Sequence, residues 1–348
     1  MIDLTVEEAL QLSNPVFVDV RSPSEYREAT IPGAVNIPLF DDRERTEIGR
    51  IYREENPHQA RQRGLEMVAP KLPRLVRDIE VLSKLGTVVL FCWRGGERSR
   101  ALASVLDLMN VSCFRLAGGY RAFRRHVIQQ LEIMPEGEVV VLHGLTGCGK
   151  TDLIKGLRER GYAALDLEGL ARHRGSVFGS IGMGQQPGQK MFEAFLWQEL
   201  RALDHAAYLV VECESRRIGR VHLPSHLYRK MGGARHVLVY DSLENRVKRL
   251  VSEYIGQDTE TALAELREGL KALERFIGVK KINYLLDTLE RRDFGTVVEY
   301  LLLNYYDSLY RYPSEPDSRF ELCVSTGDME RALNEVAEFL DRQYGGKG

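Results

Sequence analysis

Two glycine-rich stretches of this 348-residue chain carry side chains able to do chemistry on an anion. The first is Cys92-Trp93-Arg94-Gly95-Gly96-Glu97-Arg98. A glycine loop ahead of a helix can turn backbone N–H groups toward one point, and the helix N-terminus and Arg98 add positive potential there. A thiol in that field gives up its proton readily, and the thiolate is the nucleophile. The expected chemistry is attack by the Cys92 sulfur, with Trp93 to Glu97 as the cradle and Arg98 holding the anion's oxygens. The second stretch is Gly144-Leu145-Thr146-Gly147-Cys148-Gly149-Lys150-Thr151, a complete G-x4-G-K-T phosphate loop. Here Gly144, Thr146, Gly147, Cys148 and Gly149 would wrap a diphosphate with their amides. Lys150 would meet its outer phosphate, and Thr151 offers a hydroxyl to a metal. Cys148 reads as a small tolerated residue in this loop, not as a second nucleophile.

The flanking patterns supply the elements such loops need. Thr87 to Phe91 (TVVLF) reads as a buried strand, and Ala101 to Met109 as an amphipathic helix. Val139 to Leu142 reads as the strand before the phosphate loop, and Asp152 to Arg160 as the helix after it. Further strands are expected at Val16 to Val20, Val111 to Leu116, Tyr208 to Val211 and Phe320 to Val324. The Tyr208 strand ends in Glu212-Cys213-Glu214, where an NTPase usually places an aspartate. Glu212 or Glu214 could orient a magnesium water in a second shell, and Arg216 and Arg217 could meet phosphates. Magnesium is left open, and no set of metal ligands is expected. Residues 41–70 form a charged insertion, read as a solvated helical face or as a cover or RNA-contacting segment. The glycine- and glutamine-rich residues 174–189 read as a connection or a lid. Pro135-Glu136-Gly137 marks a boundary. The fold expected is α/β, with a parallel-sheet domain over 1–133. A phosphate-loop domain over 134–348 is to follow, carrying a helical segment at about 242–312.

Composition excludes several classes. The chain is 44% hydrophobic and 28% charged with a formal net charge of -2, so it does not advertise nucleic-acid binding overall, although local basic clusters remain open. No apolar run approaches a membrane span, and the N-terminus lacks the basic-then-apolar pattern of a leader. The five cysteines (92, 113, 148, 213, 323) form no CxxC pair, which argues against a disulfide framework or a zinc knuckle. A reduced, cytoplasmic compartment is expected, with no membrane partner.

DVRSPSEYREATIPGAVNIPL, the strand-borne Cys92 loop and LAGGYRAF, in that order, resemble the rhodanese family. The resemblance implies a small α/β domain whose catalytic cysteine, at Cys92, carries a chalcogen atom. The usual rhodanese arginine lies one residue nearer the cysteine; the C-x5-R spacing from Cys92 to Arg98 is similar to that of rhodanese-fold phosphatases. The longer loop suits a phosphate-sized anion, so a phosphatase and a transferase using a phosphate-like donor are both open. FCWRGGERS, HGLTGCGKT, GSVFG, QPGQKMFE, ECESRRIG and NYYDSLY together resemble the bacterial tRNA 2-selenouridine synthases over nearly the whole chain. That resemblance implies tRNA bearing 2-thiouridine at the wobble position as substrate and selenophosphate as selenium donor. It implies an S-selanyl intermediate on Cys92, and geranyl diphosphate as the source of an S-geranyl-2-thiouridine intermediate. Both donors would be co-substrates rather than tightly bound cofactors, and a monomer is expected. Phe178, Met183, Phe192 and Phe195 are candidates for the geranyl slot by position. A rhodanese-fold phosphatase, a phosphate-loop kinase and a non-enzymatic RNA-binding module are the competing classes.

Overall fold

The computed structural model describes residues 2–255, 259–310 and 312–346. The chain divides into two compact units, Met1–Gln130 and Leu131–Gly348.

The first unit carries strands β1 (Ile2–Leu4), β2 (Pro15–Asp19), β3 (Val35–Asn36), β4 (Thr87–Phe91) and β5 (Phe114–Leu116). They form one parallel sheet in the order β1-β5-β4-β2-β3. Its helices are α1 (Val6–Gln11), α2 (Pro23–Glu28), α3 (Asp42–Glu54), α4 (Pro57–Val68), α5 (Leu72–Ser83), α6 (Glu97–Leu108) and α7 (Gly119–Leu131). Strands covered on both faces read as continuous apolar runs, and that is why VFV and TVVLF stood out. Val18, Leu90, Ile79, Leu102 and Leu106 are fully buried in one core between sheet and helices. β4 lies in the middle of the sheet, so the loop at its end, which starts at Cys92, opens at the carboxyl edge, the usual ligand edge of a parallel sheet.

The charged insertion is a helical hairpin. Asp41 caps α3 in a reciprocal capping box with Glu44, and Asn56 caps α4 just ahead of Pro57. Ala60, Gly64 and Val68 form the buried face of α4, at the four-residue spacing that lines one side of a helix. Gly64 lies so close to Phe40 that a Cβ there would stand 3.3 Å from the ring. The reading of this stretch as a merely solvated face therefore gives way to that of a wall packed on the core.

The second unit carries β6 (Glu138–His143), β7 (Ala164–Leu165), β8 (Tyr208–Glu212), a two-strand hairpin of β9 (Arg217–Ile218) and β10 (Val221–His222), then β11 (Arg235–Tyr240) and β12 (Leu322–Ser325). The main sheet is parallel, ordered β12-β11-β6-β8-β7. Helices α8 (Lys150–Glu159), α9 (Leu167–Ala171), α10 (Gln189–Ala202), α11 (Ser225–Gly232) and the closing α18 (Met329–Tyr344) belong to this sheet portion of the chain. Between β11 and β12 runs the helical segment: α12 (Leu243–Ile255), α13 (Thr259–Ala272), α14 (Glu274–Ile277), α15 (Val279–Glu290), α16 (Phe294–Leu301), a π-helical turn (Leu302–Tyr306) and α17 (Asp307–Tyr310). It has its own apolar cluster, including Leu270, Leu273, Leu285, Leu289 and Leu302. Tyr300, Tyr305 and Tyr306 pack with that cluster, the last two ring edge to ring face at 5.0 Å.

Candidate active site

Cys92 stands at the foot of a loop shaped from outside itself. Its carbonyl accepts from Tyr120 N–H at 2.8 Å, and that of Trp93 accepts from Arg121 N–H at 3.0 Å. The Gly118-Gly119 turn makes this approach possible. Gly119 has φ 59°, and a Cβ there would lie 2.2 Å from the Cys92 carbonyl oxygen. Gly95, with φ 64°, is the matching left-handed position inside the loop. Beneath it lies a buried ion pair from the DVRS motif. Arg21 donates through Nε to Asp19 Oδ1 at 2.9 Å and through Nη2 to Asp19 Oδ2 at 2.6 Å. Thr30 also donates to Asp19, Ala29 O accepts from Arg21, and the Arg21 guanidinium covers the Tyr120 ring at 4.3 Å. A buried pair persists only when its remaining donors and acceptors are satisfied, as here.

The Cys92 sulfur is 3.4 Å from Ser99 Oγ. Burial pushes the thiol pKa up, but hydrogen bonds from the Ser99 hydroxyl and backbone, the Arg98 charge and the Arg94 backbone outweigh it, and the net shift is downward. Arg98 meets a carboxylate: its Nη1 and Nη2 reach Glu25 at 2.5 and 3.1 Å, and Arg45 stands 3.6 Å from the same group. Burial raises the Glu25 carboxyl, yet the Arg98 bonds and charge bring it below its ordinary value. Glu97 pairs with Arg61 of α4, while Trp93 and Arg94 are exposed. In front of Cys92 opens a cleft of about 1450 Å³, walled by the α3–α4 hairpin on one side and by the loop and α6 on the other.

The phosphate loop runs from β6 into α8, with Gly144, Gly147 and Gly149 at φ 151°, 81° and 76°. Lys150 Nζ donates to the loop's own Gly144 and Leu145 carbonyls at 2.9 and 3.3 Å. Two arginines of α12 brace the loop: Arg246 Nε donates to Thr146 O at 2.9 Å and Arg249 Nη1 to Gly147 O at 2.5 Å. Arg246 is itself fixed by Asp307, the aspartate of NYYDSLY. Thr326 donates to Cys148 O at 2.8 Å. Burial raises the Cys148 thiol, and Lys150, Arg246 and a backbone hydrogen bond from Asp241 do not reverse it, so its shift is opposite to that of Cys92.

Thr151 donates to Glu168 at 3.3 Å, and Glu168 is hydrogen-bonded to Glu214. Glu212 is buried and accepts from the Glu168 N–H at 2.7 Å through Oε1, while its Oε2 has no partner among the described residues. Burial, reinforced by the neighbouring carboxylates, pushes Glu212 and Glu214 well above the ordinary range, and Glu168 upward as well. Glu212 thus serves the start of α9, and it is Glu168 that meets the phosphate-loop threonine. Arg216 and Arg217 are exposed, donating to Ser225 Oγ and Gly219 O, and no described contact brings them to the loop.

Reading along the chain missed Glu25, Ser99, Glu168, Arg246 and Arg249. Ser99, the third residue of the helix behind Cys92, and Glu25, in the capping box of α2, had local signals; the other three had none.

Comparison with known proteins finds a match for each part of the chain. The family model described as "tRNA 2-selenouridine synthase AAA domain" matches residues 137–344, and the rhodanese-like domain model matches residues 5–126. A protein of Psychromonas ingrahamii named tRNA 2-selenouridine synthase is 33% identical over 88% of this chain and 90% of its own length. One of the same name from Hydrogenovibrio crunogenus is 35% identical over 97% of this chain and 98% of its own. With one match covering more than half of the chain and relatives aligned nearly end to end, this chain belongs to the tRNA 2-selenouridine synthase family.

Proposed function

We propose that this protein modifies tRNA by replacing sulfur with selenium at a wobble 2-thiouridine, with labour divided between its two loops. The observation that carries this reading is the contrast between the loops: Cys92 lines an open cleft with the Ser99 hydroxyl 3.4 Å from its sulfur and its thiol shifted downward, whereas Cys148 is buried in the phosphate loop with its thiol shifted upward. The Cys92 loop takes selenophosphate, with Arg98 leaving Glu25 for the donor's oxygens. The phosphate loop takes the diphosphate of geranyl diphosphate, with Lys150 leaving its own carbonyls. An apolar cavity bordered by Thr146, Phe178, Leu250, Leu266, Val297 and Leu302 supports a donor that is diphosphate at one end and hydrocarbon at the other. At about 30 Å³ the cavity must open severalfold to take the chain, and Phe178, whose ring fills the space over Gly269, is the side chain that would move.

Alkylation of the thiocarbonyl sulfur forms the S–geranyl bond, releases diphosphate and turns C2 into a carbon with a good leaving group. Selenium then forms the C2–Se bond as thiogeraniol departs; the selenium–phosphorus bond of the donor is broken with water, giving phosphate. Carriage of selenium as an S-selanyl group on Cys92 withdraws two electrons from selenide, and a small-molecule disulfide takes them up as it is cleaved to two thiols. Cleavage of the later S–Se bond by a thiol returns them, so a thiol–disulfide couple runs beside a net exchange that is redox-neutral. The reading needs no tightly bound cofactor. Mass spectrometry of nucleosides from thiolated tRNA tests it, with selenophosphate and geranyl diphosphate supplied separately and together. S-geranyl-thiouridine is expected with the prenyl donor alone, and selenouridine when both are present. An unchanged nucleoside profile, with hydrolysis of a simple aryl phosphate instead, would sink it in favour of the phosphatase reading.

A further inference from the structure

The cleft in front of Cys92 is far larger than its anion requires. Its volume of about 1450 Å³ exceeds the roughly 300–1,000 Å³ of ordinary small-molecule pockets. Its walls also differ in charge from the rest of the chain. Six arginines line it against three carboxylates, Glu25, Asp42 and Glu97, in a protein whose formal net charge is -2. Arg98 and Arg45 are engaged with Glu25, and Arg61 with Glu97. Arg53, Arg94 and Arg100 are exposed and meet no carboxylate among the described residues; the one recorded bond of Arg53 is to Gly49 O, within its own helix. Two aromatic rings face the same space from opposite walls: Tyr52 of α3, 54% exposed, and Trp93 of the cysteine loop, 36% exposed.

Uncommitted guanidinium groups beside exposed aromatic faces are what single-stranded nucleic acid needs, since every base offers a face to stack on and every linkage a phosphate. The wall is also anchored. α3 and α4 are capped, pack Ile48 and Val68 against the core beside Phe40, and are bridged by the exposed Arg63–Glu47 ion pair at 2.8 Å. A base whose C2 is to meet a group on Cys92 must leave its stack to get there, and a prebuilt stacking slot lowers the cost of doing so. We propose that the cleft between the α3–α4 hairpin and the Cys92 loop holds the extruded wobble nucleotide and its neighbours. In this arrangement Tyr52 and Trp93 act as stacking faces, and Arg53, Arg94 and Arg100 bind the flanking phosphates. The assignment rests on the tRNA reading above and adds to it where the RNA strand enters the first unit.

The test separates loading from transfer. The full-length Tyr52→Ala/Arg53→Glu variant changes two exposed side chains and is expected to fold. Selenium uptake from selenophosphate, read by intact-protein mass, should match the parent, while the apparent KM for thiolated tRNA rises about tenfold or more. An unchanged KM overturns the proposal, and so does loss of uptake in step with transfer, which would make the cleft part of the donor site. A second measurement does not depend on selenium chemistry. Irradiation of a complex with tRNA carrying 2-thiouridine should crosslink the thiobase to peptides containing Tyr52 or Trp93. Crosslinks confined to the second unit would refute the cleft even if the selenium reading stood. Failure of the parent protein to take up selenium, with crosslinks at Tyr52 or Trp93, would remove the selenium reading and leave the RNA cleft.

Discussion

The Cys92 loop and the phosphate loop are two solutions to one problem, and each holds a cysteine. Both follow a central strand of a parallel sheet, use left-handed glycines and lead into a helix. In both, the cation meant for an anion is engaged internally, Arg98 on Glu25 and Lys150 on loop carbonyls. Yet the two thiols shift in opposite directions. Cys148 is buried with Lys150 and Arg246 nearby and one backbone donor, at Asp241, and these do not overcome desolvation. Cys92 is buried as well, and what separates it is a larger set of donors at the sulfur, the Ser99 hydroxyl foremost, with the Ser99 and Arg94 backbones. Nearby charge and one donor leave a buried thiol shifted upward; several directed hydrogen bonds bring it down.

The comparison breaks most sharply if either loop can do the other's work. Cys92→Ser should lower selenium transfer by at least about 10³-fold and leave geranylation intact, whereas Lys150→Ala should lower geranylation by about 10²-fold and leave selenium uptake on Cys92 intact. Nucleoside and intact-protein mass spectrometry read both, and loss of both activities in either variant would end the division of labour. Ser99→Ala sharpens the cause of the thiol's acidity. Losing a bond worth about 0.5–1.5 kcal/mol should move the pH profile of Cys92 alkylation upward and slow it severalfold at neutral pH, with Cys148 unaffected. An unmoved profile would return the credit to Arg98. The smallest effect is on stability. Glu212 has a folded pKa above the unfolded value near 4.5, so its contribution is full below that value and is lost as pH rises through the folded one. Glu212→Gln should therefore stabilise the second unit by about 1 kcal/mol at pH 8 and by little at pH 5, measured by thermal unfolding at each pH. Equal shifts at both would show that burial of charge is not the cause.

What was legible along the chain was local. β4, β6 and β8 are apolar runs that end at Cys92, at Gly144 after His143, and in Glu212, and both loops are contiguous motifs. What was not legible is set by packing between distant segments. Glu25 reaches Arg98 across 73 positions of sequence, and Arg246 reaches Thr146 across 100. Glu25 does carry a local pattern, as the third residue of a capping box with Ser22, but nothing in that pattern points to Arg98, and Arg246 has no local pattern of its own. Glu212 shows the limit of a motif read by position alone. It lies at the end of the expected strand, but its carboxylate turns to the start of α9, leaving Glu168 to meet Thr151.

Gly119 places part of the first loop's mutational fragility outside the loop. A Cβ at this position would stand 2.2 Å from the Cys92 carbonyl oxygen and 2.4 Å from the Gly95 nitrogen, so no side chain can be added without moving the backbone of Cys92 itself. Exposed loop residues such as Arg94 have room to drift. The residue that preserves the loop's shape lies 27 positions further along the chain and has no side chain. The loop and the turn that moulds it work as one unit, and an otherwise mild alanine at position 119 would distort a site whose named residues were all still present.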